Sequence, residues 1–228
     1  MKKLEIGFEE VFSQLEAWGN EARRKYNAKH NAGENQFGVT MGNLRQYAKQ
    51  IKINHPLAMQ LWQSQNIDAM MLATMIMDPK QLSKDEINQM IEGITFFLLL
   101  DELVYHVIVK TDYANELYPQ WINSNQEYVG RAGWNILISK VMNGQVEDLK
   151  IDELLEWIES QIKDAPKLKQ ESMNRCLCEI GIHFPEFRAI CIAIGERIGR
   201  LDDRPIPKGC TSSYAPEWIA AVLARKNK

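Results

Sequence analysis

The residues of this chain best placed to do chemistry lie between Phe96 and His106. Phe97, Asp101 and Tyr105 are spaced four apart, and on a helix that spacing sets them on one stripe. A fixed carboxylate between two rings can stabilise positive charge developing on a reacting sugar, or activate water. The aromatic walls meanwhile hold a base by stacking. The same spacing admits a plainer arrangement, a helix-surface aspartate paired with a neighbouring arginine. Glu102 and His106 are also four apart and predict an exposed pair worth about a few tenths of a kcal/mol. His106 has a base's chemistry, but no nucleophile stands near it in the sequence, so a structural role fits it better.

A second cluster is electrostatic. From Arg23 to Lys52 there are seven basic residues (Arg23, Arg24, Lys25, Lys29, Arg45, Lys49, Lys52) and one acidic residue, Glu34. Arg45 and Lys49 share a helix face and can contact phosphates one turn apart. Tyr26 follows Arg24 and Lys25, and a ring among cations is a candidate for base stacking. Between Glu147 and Asp164 the charge balance reverses. The net charge of −3 excludes a protein coated in positive charge, yet a polarised chain can still present a basic face to an anion. An ordinary solvated helix face gives the same pattern. Trp62, Trp121, Trp134 and Trp157 recur on apolar stripes and read as core.

Other chemistries find little support. Cys176, Cys178, Cys191 and Cys210 are sparse and irregular, which suits reduced thiols in a cytoplasm better than a disulfide framework. Cys176 and Cys178 are two apart, face different ways on a helix, and have no second Cys or His pair to complete a metal site. No phosphate-binding glycine loop is present, and the expectation is that no metal, nucleotide or redox cofactor is needed. Hydrophobic residues make up 45% and charged residues 25%, ordinary for a globular protein. Met1 to Glu5 is charged with no apolar stretch behind it, so no signal peptide is expected. The apolar segment Ile94–Val109 contains Asp101 and Glu102 and falls short of the ~20 residues of a membrane span. It reads as a buried helix, with no membrane partner.

The elements that must position these residues are helices. Ile151, Leu154, Leu155, Ile158 and Ile162 fall at helical spacing, and Phe187, Ile190, Cys191, Ile194 and Ile198 repeat it. Strand alternation is scarce. Pro56 opens a helix through Leu61 and Trp62, Asp78-Pro79 stops the one before, and Ser83-x-x-Glu86 is a capping box. Pro119, Gly144, Pro166 and Pro185 mark further boundaries. About twelve helices, or six pairs, follow, with ends good to two to four residues. No flexible linker divides the chain, so residues 1–228 read as one domain. The fold class is all-α, a superhelical solenoid of about six antiparallel HEAT-like helix pairs.

Several segments together resemble one family. They are Phe37-Gly38-Val39 with Leu44-Arg45-Gln46-Tyr47-Ala48-Lys49, then His55 to Ser64, Ala69 to Pro79, and Arg131-Ala132 with Trp121 ahead of it. Their order and spacing are similar to the DNA alkylation repair family, the AlkD-like DNA glycosylases with HEAT-like repeats. The resemblance spans Phe37 to Gly181. It implies binding to duplex DNA, alkylated or distorted, by a cytoplasmic monomer. It also implies hydrolysis of the N-glycosidic bond to release 3-methyl and 7-methyl purines, with Asp101 matching the catalytic aspartate. An alkylated purine is cationic and leaves well, so one carboxylate can suffice. Arg131 matches the family's arginine near the DNA backbone, where a guanidinium fork suits a phosphate; an inter-helix salt bridge is the alternative. The expectation is that Arg45, Lys49 and Arg131 share one concave side.

The departures from the family pattern are specific. The family's catalytic helix carries a tryptophan four residues before the aspartate, and Phe97 stands there. A second tryptophan of a later helix aligns with Arg175. The stretch Pro207–Pro216 looks characteristic of a side branch. These changes leave open a non-catalytic DNA-binding relative that recognises distorted or branched DNA. A protein-binding scaffold is a third reading, because solenoids commonly bind peptides on a concave face.

Overall fold

The computed structural model describes residues 6–202, 206 and 209–226. The segment Met1–Glu5, and Pro207 and Lys208 of the branch-like stretch, lie outside the described residues. The described residues form thirteen α-helices and three short 3-10 turns, and no strand occurs among them. The count is one above the twelve expected. None of these helices is long and apolar enough to cross a membrane. The chain divides into two compact units, Met1–Asn115 and Glu116–Lys228.

In the first unit, α1 (Phe8–Ala17) and α2 (Glu21–Ala28) precede α3 (Met41–Ile51), α4 (His55–Gln63) and α5 (Ile67–Ile76). Asn20, Thr40, Asn54 and Asn66 start α2 to α5 by accepting orphan backbone N–H groups. Pro56 sits in the first turn of α4, where a missing N–H costs nothing. The turn Ser64–Gln65–Asn66 folds α5 back along α4. α5 is buried on nearly every side and packs against α3, α4 and α7 (Phe97–His106). Between them, α6 (Lys84–Glu92) begins at the expected capping box, with Ser83 and Glu86 each satisfying the other's backbone N–H.

One buried charge anchors this unit. The Asp68 carboxylate in α5 is fully buried. It accepts the backbone N–H groups of Phe37 (2.6 Å), Gly38 (2.9 Å) and Val39 (2.8 Å). Three donors compensate the charge and fix the loop that leads into α3. Gly38 has φ +81°, and a Cβ there would sit 2.5 Å from the Asn20 carbonyl oxygen, so only glycine fits.

The second unit contains α8 (Ala114–Ile122, starting at the boundary), α9 (Glu127–Met142), α10 (Ile151–Gln161), α11 (Lys167–His183), α12 (Arg188–Ile198) and α13 (Ala215–Lys226). Here α11 is central and packs on α9, α10, α12 and α13. All five residues of the Ile151–Ile162 stripe are buried. The second stripe holds at Cys191, Ile194 and Ile198, but Ile190 is 42% exposed. Pro119 is a correction: it lies inside α8 and does not end it. In so short a helix the proline removes one internal hydrogen bond, and its carbonyl still serves the Asn123 side chain.

Candidate nucleic-acid interface

The expected Ile94–Val109 helix is shorter than its apolar run. It spans Phe97–His106 and gives way to a 3-10 turn at Ile108–Lys110. Leu99, Leu100, Leu103 and Val104 face the core. That leaves Phe97, Asp101, Tyr105, Glu102 and His106 half-buried on the opposite side. The stripe is therefore formed as expected, with the Asp101 carboxylate one turn from each ring.

Neighbouring helices extend this face. The His30 ring meets Phe97 edge-on at 5.5 Å, and Tyr26 lies 4.7 Å from His30. The Arg23 guanidinium sits 5.0 Å over the Tyr26 ring, which is 45% exposed. A continuous row of rings thus runs from the basic helix α2 to the carboxylate-bearing helix α7. Tyr26, the stacking candidate named from sequence, stands at the exposed end of this row. The contact of His30 with Phe97 was not legible, because the end of α2 and the start of α7 are some seventy residues apart in the chain.

On α3, Arg45 and Lys49 are both exposed, and Arg45 reaches a carboxylate of α7. Glu102 is 3.5 Å from Arg45 Nη2 and 2.9 Å from His106 Nε2. The predicted Glu102–His106 pair exists, but Glu102 is only 17% exposed and serves two partners. This carboxylate holds the cationic stripe of α3 beside the α7 stripe while neutralising part of Arg45.

In the second unit, Arg131 is not a surface cation. It is 8% exposed, donates from Nη1 to the Leu168 carbonyl (3.1 Å) and pairs with Glu171 at 3.5 Å. The inter-helix salt bridge between α9 and α11 is the arrangement found, because α9 is buried along most of its length. Arg175 pairs with Glu179 (3.5 Å), which also faces His183 (3.5 Å). Arg131 and Arg175 meet in the wall of one polar cavity of about 320 Å³, together with Asn135, Asn174 and Trp218. The structure brings these two arginines together, and separately it brings together Tyr26, Phe97, Asp101, Tyr105, Arg45 and Lys49.

The cysteines take no part in these sites. Cys176, Cys178 and Cys191 are buried free thiols. Burial pushes the Cys191 thiol up to about 12 and the other two upward as well, so none is a nucleophile near neutrality. Among the described residues no group of three His, Cys, Asp or Glu could hold a metal.

Residues 11–218 match the family model described as DNA alkylation repair enzyme. Two uncharacterised proteins, Lin0241 of Listeria innocua and Lmo0209 of Listeria monocytogenes, are each 21% identical over 98% of this chain and 99% of their own length. A solved structure is similar with a TM-score of 0.85 and 28% identity, covering 96% of this chain and 95% of that one. It is described as belonging to a new family of proteins related to the HEAT-like repeat DNA glycosylases with affinity for branched DNA structures.

Proposed function

The chain belongs to the DNA alkylation repair family, its fold is all-α and HEAT-like, and from that premise we propose that it recognises branched or distorted DNA. The observation that carries this reading is the face of the first unit. There Arg23 sits over Tyr26 at the exposed end of a row of rings that runs through His30 to Phe97 on the helix of Asp101, and Arg45 and Lys49 stand exposed on α3, which Arg45 ties to the same helix through Glu102. Cations supply sequence-independent phosphate contacts, and rings supply surfaces for bases that leave the stack. A similar protein with affinity for branched DNA supports the same assignment. We take the two units to act as one domain in a cytoplasmic monomer. The test compares fluorescence anisotropy of a fork, a four-way junction and a linear duplex. The branched forms are expected to bind at least several-fold tighter, with affinity falling steeply with salt. No binding to any DNA at low salt overturns the reading.

A second reading, base excision, is favoured by one observation, the half-buried Asp101 between Phe97 and Tyr105. As the C1′–N bond of an alkylated purine breaks, its electrons neutralise the cationic base. The sugar becomes positive, and water adds to C1′ and gives up a proton to solvent. The Asp101 carboxylate would stabilise that sugar cation. Phe97, standing where the family has a tryptophan, gives it a smaller wall. Incubation with duplex containing 7-methylguanine, followed by detection of abasic sites, decides the matter. Asp101→Asn is expected to lower excision by about two orders of magnitude and to leave DNA binding equal or tighter. A wild-type protein that releases no base ends this reading and leaves the first intact.

A further inference from the structure

Next to Arg45 and Lys49, an open groove of about 530 Å³ runs along the end of α3. It is lined by the polar Arg45, Lys49, Lys52 and His106 and by the apolar Ala48, Met75 and Ile53. Ile53 is 63% exposed, the most exposed large hydrophobic among the described residues. It is nevertheless held firmly. Lys52 takes φ +66° and donates to the Ala48 carbonyl (2.8 Å). Asn54 donates its N–H to the Ile76 carbonyl (2.8 Å) and caps α4 through its side chain. A lysine at positive φ costs of order 1 kcal/mol, and the result is an aliphatic residue presented to solvent beside cations from a backbone tied on both sides.

Resting on the DNA-binding reading, we propose that this groove receives an unstacked nucleotide at a DNA branch point. Ile53 and Met75 contact the base face, and Arg45, Lys49 and Lys52 hold the flanking phosphates. Charge complementarity selects the occupant. Three cations in the lining call for a polyanion, and the Glu102 carboxylate of α7 is shared by Arg45 and His106. An apolar lining offers nothing to a phosphate alone, so the anion must carry an apolar face with it. Inside a continuous duplex every base face is covered by its neighbour. At a fork or junction one is open, and aliphatic side chains wedge against such steps at modest cost. Met75 adds a pliable thioether that fits any of the four bases.

The experiment measures full-length protein against a fork and against a dumbbell duplex closed at both ends. Ile53→Ser is expected to weaken fork binding roughly tenfold, the loss of one aliphatic contact, and to leave the dumbbell within twofold. A 2-aminopurine placed at the branch is expected to brighten on binding wild type, as it unstacks, and to stay dim with Ile53→Ser. Lys49→Ala combined with Lys52→Ala should weaken both DNAs and lower the salt slope by about two. Ile53 is exposed, so unchanged thermal melting of the variant is expected. Equal loss on both DNAs, or no loss on either, overturns the groove while leaving the DNA-binding reading standing; insensitivity to Ile53→Ser is also what a groove for an acidic protein helix would give. Wild type that binds neither DNA overturns both.

Discussion

At the level of single residues, two adjacent carboxylates on α7 have different surroundings and different consequences. Asp101 is half-buried one turn from Phe97 and from Tyr105, and Glu102 is shared by Arg45 and His106. Glu102 competes with phosphate for Arg45. Glu102→Gln is therefore expected to tighten DNA binding about threefold at low salt, with the gain fading as salt screens it. For the same reason Arg45→Ala should lose less affinity than Lys49→Ala, a ranking that titrations of both variants check directly. The Phe97–Asp101–Tyr105 stripe was legible because helical spacing alone puts residues four apart together. The burial of Arg131 was not, since it depends on how closely α9 meets α11, and nothing in the local sequence encodes that distance.

At the level of elements, the starts of the helices were the most readable feature. The Ser83–Glu86 box forms as its spacing implies, and its hydrogen bonds hold the Glu86 carboxyl below the usual carboxylate range. A folded-state value below the unfolded one stabilises the protein above the ordinary carboxylate pKa, and this contribution is lost as pH falls through the lowered value. Ser83→Ala is expected to cost about 1 kcal/mol and to move the Glu86 titration upward, which NMR of the side chain reports. Pro119 was misread because proline's meaning depends on its distance from a helix start, and α8 begins only five residues before it. Ile190 continued a periodic stripe, yet the stripe is wider than the contact that α12 makes. Asp68 carries no motif at all. Its three backbone donors come from a loop some thirty residues earlier. Asp68→Ala strands those N–H groups, at about 4 kcal/mol, and should weaken DNA binding as well, because the same loop aims α3.

For the whole molecule, the question is how a chain of net charge −3 binds a polyanion. The architecture answers through close packing around two nearly encircled helices, α5 and α11, which leaves other helices free to segregate charge. Close packing has its own test. In α9, a Cβ at Gly133 would come within 2.6 Å of the Ile122 nitrogen and 2.8 Å of the Trp121 carbonyl carbon. Both are backbone atoms that no rotamer change can move. Gly133→Ala is expected to cost roughly 3 kcal/mol and to lower Tm by about 10 °C in a chain of this size, as calorimetry would show. Charge segregation makes a separate claim. Counterion release counts only the cations that meet phosphate, and the net charge does not enter. With Arg23, Arg45, Lys49 and Lys52 in contact, log affinity should fall against log salt with a slope of about −3 to −4. Neutralising Glu153 and Glu156, in the acidic segment on α10, should raise the affinity slightly and leave that slope unchanged. A slope near zero for wild type would mean that the basic face of the first unit does not meet the phosphate backbone, whatever the affinity for branched DNA turns out to be.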